Sequence, residues 1–158
     1  MSAVETRLAT MHDWARLWAW RNDPVTRLAF VNQKPVGLAE HLAWLAQILD
    51  PERPPVRRLC IVELGGQAIG TFRLDCQVRG AMDCSVTVAP AHRRLGHGKL
   101  LVGCLVEEAK RWHPNNRLVA RVRLENLASL RAFAAHGFLV QKVSGEFLSE
   151  FVNLELTW

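Results

Sequence analysis

Hydrophobic and polar residues follow one another along this chain with two different periods. Apolar residues recur at helical spacing over residues 12–21 and 38–49, which predicts two amphipathic helices. The turn-forming residues 22–24 end the first helix, and prolines end the second. A short run over residues 6–10 predicts a strand before them. The chain therefore opens with a strand and two helices.

The pattern changes to that of strands in the middle of the chain. Two apolar, partly β-branched runs over residues 59–64 and 68–74 are separated by Gly65 and Gly66, which predicts a β-hairpin. A third run over residues 82–88 completes an antiparallel meander.

The C-terminal half alternates helices with strands. The predicted elements are a helix over residues 99–112, a strand over 118–124, a helix over 127–136 that Gly137 ends, and strands over 138–143 and 147–157. The order is βααβββαβαββ, which predicts an α/β (α+β) domain with a mixed sheet.

Composition fits one globular domain over residues 1–158. Of these residues, 49% are hydrophobic and 22% are charged, and no apolar run reaches the roughly 18–20 residues of a transmembrane helix. The start MSAVETRL lacks the features of a signal peptide. We therefore expect a cytoplasmic protein without a membrane partner. The four cysteines lack metal-ligand spacing, which favours free, buried thiols and no metal.

One strand–loop–helix segment carries candidate chemistry. It contains Arg93, Arg94, Gly96, Gly98 and Lys99 directly before a long helix. Unpaired amides in the first helical turn, the helix dipole and these cations predict an anion site, with a phosphate or pyrophosphate as ligand. The net charge of +5 suits such a ligand. The residues of this loop match neither the Walker motif nor the dinucleotide-binding motif.

Two signatures resemble those of the GNAT superfamily of N-acetyltransferases. The Arg/Gln-x-x-Gly-x-Gly/Ala signature is matched by Arg93, Gly96 and Gly98. The later Asn-x-x-Ala/Ser-x-x-x-Tyr/Phe-x-x-x-Gly-Phe signature is matched by Asn126, Ser129, Phe133, Gly137 and Phe138. Together with the element order, the resemblance covers the whole chain. It implies about seven strands, about four helices and a sheet that splays between strands 4 and 5.

The resemblance also implies acetyl-CoA as the cofactor, bound in that splay. Its pantetheine arm would pair with the edge of strand 4, its pyrophosphate would bind the loop amides, and an amide near Val88 would polarise the thioester carbonyl. The implied cofactor-binding residues are Val86, Val88, Arg93, Arg94, Leu95, Gly96, His97, Gly98, Lys99, Leu100, Asn126, Ser129 and Phe133.

Acetyl transfer to an amine requires proton acceptance and release of a thiolate. An alkyl ammonium ion with a pKa near 10 must first lose a proton, and the resemblance implies Asp83 as the base, directly or through water. The alternative for Asp83 is a solvent-facing strand residue. Many relatives protonate the thiolate with a Tyr, but this chain has no Tyr. Ser129, a water molecule or unaided departure would serve instead. The implied catalytic residues are therefore Asp83 and, from the second signature, Ser129 and Asn126.

A narrower resemblance concerns the acceptor amine. The segments WRNDP, EHxxW and GxxRxD, at residues 20–24, 40–44 and 70–75, resemble N-acetyltransferases of pseudaminic acid and related nonulosonate pathways. Those enzymes acetylate the 4-amino group of a UDP-linked 4-amino-4,6-dideoxy sugar. The implied substrate-binding residues are Arg21, Asn22, His41, Trp44 and Arg73.

Alternatives stay open at this point. The RNDP turn also occurs in ribosomal-protein alanine acetyltransferases, so a protein N-terminus or another small amine is possible, and Arg21, His41 and Trp44 have purely structural interpretations. A non-enzymatic nucleic-acid or acyl-CoA-sensing module is disfavoured, because the basic cluster coincides with the anion site. We expect no nucleic-acid partner, and either a monomer or a homodimer.

Overall fold

The computed structural model describes residues 2–53, 56–141 and 150–158, whose strands form one seven-stranded sheet in the order β1-β2-β3-β4-β5-β7-β6. The strands are β1 (Val4–Leu8), β2 (Arg57–Leu64), β3 (Gln67–Cys76), β4 (Ala81–Val88), β5 (Arg117–Arg123), β6 (Leu139–Val140) and β7 (Phe151–Leu156). The helices are α1 (Trp14–Asn22), α2 (Pro24–Leu28), α3 (Leu38–Ile48), α4 (His97–Trp112) and α5 (Leu127–Ala134). Only β4 and β5 pair in parallel. The predicted mixed α/β class is confirmed.

The structure adds one helix to the four that the sequence predicts. Helix α2 begins at Pro24, within the residues that the pattern assigns to a turn. The Asp23 carboxylate caps it by accepting a hydrogen bond from the Thr26 amide at 2.9 Å, and Pro24 occupies the first turn, where no amide hydrogen is needed. The turn that ends α1 therefore also starts α2.

The two C-terminal strands are shorter than predicted in the described part of the chain. The strand predicted over residues 138–143 appears as Leu139–Val140, and the one predicted over 147–157 appears as Phe151–Leu156. Residues 142–149, on which parts of both predictions fall, lie outside the described residues. The prolines 54 and 55 lie outside them as well.

Two apolar clusters cover the two faces of the sheet. The larger one packs α4 and α5 on one face and includes Phe72, Leu105 and Phe133. The smaller one packs α1 and α3 on the other face around Leu17 and Leu45. The two helix layers therefore lie on opposite faces of the sheet.

The four cysteine side chains differ in burial. All four cysteines are free; Cys60 and Cys84 are buried, whereas Cys76 and Cys104 are half-buried. Burial raises the pKa of the Cys60 thiol to about 12, so this thiol stays protonated at neutral pH.

Within the described residues, no helix is long and apolar enough to cross a membrane, and no three potential metal ligands cluster together.

Strands β4 and β5 pair only over their first halves. Their register runs from Ala81 opposite Arg117 to Cys84 opposite Ala120, whereas β4 stays paired with β3 as far as Val88. The described part of the sheet therefore opens between β4 and β5, as the resemblance implied.

The opening exposes backbone groups of β4. The Ala89 amide donates to the Ile69 carbonyl on the β3 side. Because orientation alternates along an antiparallel strand, Val86 and Val88 direct their own N–H and C=O groups away from β3, into the gap between β4 and β5. The gap therefore offers free donors and acceptors to an extended ligand.

Gly70 sets the close approach of β3 to its neighbours. A Cβ atom there would lie 2.5 Å from the Thr87 carbonyl oxygen and 2.8 Å from a Leu101 methyl group. We expect Gly70→Ala to lower the free energy of unfolding by about 1–3 kcal/mol, because backbone must shift to admit the methyl group. Urea denaturation measures this.

The matched control is Gly98→Ala. A Cβ atom at Gly98 would meet Ala132 and Val88 only at 3.8 Å, an ordinary contact. This variant should be no less stable than the wild type, since alanine favours a helix over glycine. Equal unfolding midpoints for Gly70→Ala and the wild type would contradict this role for Gly70.

Candidate active site

The predicted anion site forms at the end of β4. Gly96 caps α4 with a left-handed φ of 78°, a conformation that favours glycine, and Arg94 is also left-handed at 63°. In the described part of the chain, no side chain caps the start of α4. The amides of its first turn are therefore available to an anion.

Gly98 keeps space open beside these amides. Its position borders Val88 of β4 and Ala132 of α5 without a close contact. Protein packing therefore does not require a glycine at this position. The absence of a side chain at Gly98 leaves the space beside these amides open to a ligand.

The remaining residues of the predicted loop differ in availability. Arg94, Leu95 and Lys99 are exposed, and neither cation has an ion pair among the described residues. The ring of His97 packs 5.6 Å from that of His92, and Leu100 packs against the larger core. Arg94 and Lys99 are thus the cations that are free to approach an anion.

Arg93 has a different partner from the one predicted. Its Nη2 donates to the Asp23 carboxylate and to Thr26 Oγ1, the latter at 2.7 Å. The guanidinium therefore joins the anion site to the start of α2 instead of standing free for a phosphate. Its expected contact with the cofactor stays a prediction, and its backbone lies in the loop.

The second signature supplies a cap, a free hydroxyl and a core residue. Asn126 caps α5 by accepting from the Ser129 amide at 3.1 Å. The half-buried Ser129 hydroxyl makes no hydrogen bond to any described residue. Phe133 is 2% exposed and meets Phe138 edge to face at 4.9 Å. The ring therefore packs in the core, and its predicted cofactor contact stays a prediction.

A cavity of about 320 Å³ lies on the opposite face of the sheet, beneath α1 and α3. Its polar and aromatic lining comprises Trp20, Arg21, Phe30, Glu40, His41, Trp44, Thr71, Arg73, Ser85 and Thr87. Ser85 and Thr87 alternate along β4 with the valines that border the gap. This α1/α3 cavity and the gap therefore meet at β4.

The cavity gathers four of the five predicted substrate-binding residues, namely Arg21, His41, Trp44 and Arg73. Asn22 is the exception. Its Oδ1 accepts from the Val36 amide at 2.7 Å and its Nδ2 donates to the Val36 carbonyl at 2.9 Å. Both polar atoms thus hold the segment before α3, and the expected substrate contact of Asn22 stays a prediction.

His41 is buried instead of lying on the helix surface. Its side chain belongs to a residue that is 3% exposed, and Nε2 lies 3.0 Å from the Trp14 carbonyl oxygen, to which it donates. Burial lowers the pKa of His41, which favours the neutral ring. The ring lies 5.6 Å from that of Trp44.

Positive charge near the cavity is only partly compensated. The Arg21 guanidinium stacks over Phe30 at 4.0 Å and donates to the Asn32 carbonyl, but its buried Nη1 has no partner among the described residues. Burial and the neighbouring Arg27 lower the pKa of Arg21. Arg27 likewise has a buried Nε without a partner there, so both side chains could accommodate an anionic group.

Arg73 is better compensated. Its Nε lies 2.8 Å from the Asp75 carboxylate. The cation therefore remains at the cavity but already has a counter-charge.

The two carboxylates near this site occupy different positions. Asp83 is exposed on β4, accepts a hydrogen bond from Gln77 Nε2 at 2.9 Å, and is not among the residues that line the cavity. Its role as a base stays a prediction, and it would act from outside the cavity. Glu40 does line the cavity, although the sequence analysis assigned it no role. Its spacing of four from Trp44 on α3 was the available signal.

A splayed parallel strand pair beside an uncapped helix start suits one class of enzyme, the acyl-CoA-dependent transferases. The splay offers backbone partners to an amide-bearing arm, and the helix start offers amides to a pyrophosphate. The chain belongs to the acetyltransferase (GNAT) family, whose model matches residues 5–138. The prediction of an N-acetyltransferase is confirmed at this level.

Solved structures extend the comparison over nearly the whole chain. The chain is 27% identical to yncA, a putative acetyltransferase from Salmonella typhimurium solved with acetyl-CoA, with 98% of this chain and 94% of that chain covered and a TM-score of 0.74. It is also 27% identical to a ribosomal-protein-alanine N-acetyltransferase from Brucella melitensis, with 96% of each chain covered and a TM-score of 0.74.

A more distant structure shows the fold alone. Spermidine N-acetyltransferase from Vibrio cholerae, solved with CoA and spermine, is 14% identical with a TM-score of 0.82, and the match covers 97% of this chain and 94% of that chain. No curated protein sequence matches the chain. None of these three structures is described as acting on a nucleotide sugar, so the narrower resemblance stays a prediction.

The contact between Asp23 and Arg93 should appear in the pH dependence of stability. The Arg93 guanidinium holds the pKa of Asp23 below its usual range. The carboxylate therefore stabilises the fold above the ordinary Asp pKa of about 3.9, and this stabilisation is lost as the pH falls through the lower, folded-state pKa.

We expect Asp23→Asn to lower the free energy of unfolding at pH 7 by about 0.5–2 kcal/mol, because the amide can still cap α2 but loses the charge-assisted hydrogen bond to Arg93. The difference from the wild type should shrink as the pH falls below about 4. Urea unfolding across this pH range measures both values, with Arg93→Ala expected to follow the same trend. A difference that does not change with pH would contradict this assignment.

Proposed function

We propose that this protein transfers the acetyl group of acetyl-CoA to the primary amine of a small molecule that also carries negative charge. The acceptor class that we favour is a nucleotide-linked amino sugar, with the 4-amino group of a UDP-linked 4-amino-4,6-dideoxy sugar as the reacting amine. The observation that carries the proposal is the α1/α3 cavity, which combines aromatic rings with the incompletely partnered Arg21.

The gap and the anion site fit acetyl-CoA. Free N–H and C=O groups of Val86 and Val88 would pair with the amides of pantetheine, and the first-turn amides of α4 with Arg94 and Lys99 would hold the pyrophosphate. When bound, acetyl-CoA supplies an acetyl group activated as a thioester. The presence of acetyl-CoA in the Salmonella structure supports this assignment.

Two buried N–H groups without partners in the described part of the chain support an anionic acceptor, although Arg21 and Arg27 also donate to the Asn32 and Gln33 carbonyls. The buried N–H groups at Arg21 Nη1 and Arg27 Nε lack partners among the described residues, and phosphate oxygens are strong acceptors for such donors. The rings of Trp20, Trp44 and Phe30 line the cavity and present apolar surface to a uracil or sugar ring. The volume of about 320 Å³ lies within the range of small-molecule sites.

Release of the thiolate does not require a tyrosine. The chain has none, and a thiol with an ordinary pKa of about 8.5 departs readily near neutral pH. The free hydroxyl of Ser129 or a water molecule would protonate it.

A protein N-terminus is the second candidate acceptor. The similarity to the Brucella ribosomal-protein-alanine N-acetyltransferase, at 27% identity over 96% of each chain, favours it. A peptide would use the cavity for its first residue, whereas a nucleotide sugar would also use the unpartnered arginines.

Acetyl-CoA binding is tested at Gly98. Gly98→Leu would fill the space beside the α4 amides, so we expect the KM for acetyl-CoA to rise about tenfold or more while the KM for the amine changes little. Steady-state kinetics with both substrates varied provides the two values. A cofactor KM equal to that of the wild type would remove this loop from the cofactor site.

The acceptor is tested by thiol release from acetyl-CoA. One reaction contains the UDP-linked 4-amino-4,6-dideoxy sugar, and another contains a peptide that begins with Ala or Ser. We expect release with the sugar, and a marked loss with Arg21→Leu but not with Glu5→Gln, an exposed position on β1. Release with the peptide alone would instead establish the second candidate.

A further inference from the structure

The α1/α3 cavity contains one carboxylate among its described lining residues, that of Glu40. Glu40 lies in the first turn of α3 and is exposed, which places it at the mouth of the cavity. Its carboxylate makes no hydrogen bond and no ion pair within 4.0 Å to any described residue. Negative charge is therefore available at the cavity without a fixed partner.

A nearby cation does not neutralise Glu40. Arg21 lines the same cavity, and Glu40 acts on its pKa through space. The Arg21 guanidinium is nevertheless directed to the Asn32 carbonyl and the Phe30 ring. The cavity thus keeps a cation and an anion apart, an arrangement that suits a ligand carrying both charges.

The hydroxyls of β4 complete the surroundings of such a ligand. Ser85 and Thr87 line the cavity from the strand that also borders the gap. A primary ammonium ion donates three hydrogen bonds, and a carboxylate with neighbouring hydroxyl oxygens supplies acceptors. The guanidinium groups of Arg21 and Arg73 repel the same ion.

From this distribution of charge we propose that Glu40 binds the ammonium group of the acceptor and selects amines over alcohols of the same shape. The inference rests on the proposed function in that it places the reacting amine in the α1/α3 cavity. It differs from the sequence-based expectation for Asp83, which lies outside the cavity and is already bonded to Gln77.

The experiment measures binding without acetyl-CoA, so its readout is independent of catalysis. Trp20 and Trp44 line the cavity, and tryptophan fluorescence can therefore report binding. The probes are the UDP-linked 4-amino-4,6-dideoxy sugar and the same nucleotide sugar with a hydroxyl in place of the amine. A second pair is an Ala-starting peptide and its N-acetylated form.

In each pair, the wild type should bind the probe that carries the free amine more tightly than the probe that lacks it. Because Glu40 is exposed and solvent screens exposed ion pairs, the ratio of Kd values should be about two- to fivefold. Glu40→Gln should bring this ratio close to one while leaving the Kd of the amine-free probe unchanged. Glu5→Gln should keep the wild-type ratio, and thermal unfolding verifies that each variant is folded.

The outcomes separate the two proposals. One outcome is that the wild type prefers the free amine in the peptide pair alone and that Glu40→Gln abolishes that preference. This result would overturn the nucleotide sugar as the acceptor and support the role of Glu40 in binding the amine. A ratio of Kd values that is the same in Glu40→Gln as in the wild type would overturn the role of Glu40, whichever pair is bound. Loss of the ratio in Asp83→Asn instead of Glu40→Gln would overturn it as well. A wild type that shows no preference for the amine in either pair would also overturn it.

Discussion

The separation of β4 from β5 is the constraint on which the rest of the structure depends. Leaving backbone groups unpaired in the middle of a sheet is unfavourable unless something else satisfies them. The two strands separate after Cys84 and Ala120, whereas β4 stays paired with β3 and β5 with β7. The opening is therefore built into the sheet, and a ligand with amide groups can complete it.

Charged contacts join the two halves of the site across this opening. Arg93, in the anion site, binds Asp23 and Thr26 at the start of α2. On the other side, the buried Arg123 of β5 donates to the Phe30 carbonyl at 3.0 Å and to Glu150 at 2.6 Å. Residues 23–30, which include Phe30 of the cavity lining, are thus held by the loop after β4 and by β5, on the two sides of the gap.

Local features were predictable from the sequence, and distant pairings were not. The strand–loop–helix order around the anion site follows from neighbouring residues, as does the helix that the second signature opens. The commitment of Arg93 depends on a carboxylate 70 positions away, and that of Asn22 on a backbone 14 positions away. Either side chain has the right chemistry for a ligand, and only the fold shows that it is already used.

Phe133 illustrates how the fold restricts the chemistry that remains. An aromatic residue at this place in the signature is compatible with two roles, packing or proton donation. Here the ring lacks a hydroxyl and lies in the larger core against Phe138, almost without exposure. The core therefore holds Phe133, and the polar side chains of α5 and its cap that remain near the gap lie in its first turn. There Asn126 is occupied as the cap, which leaves the hydroxyl of Ser129 as the protein group free to act.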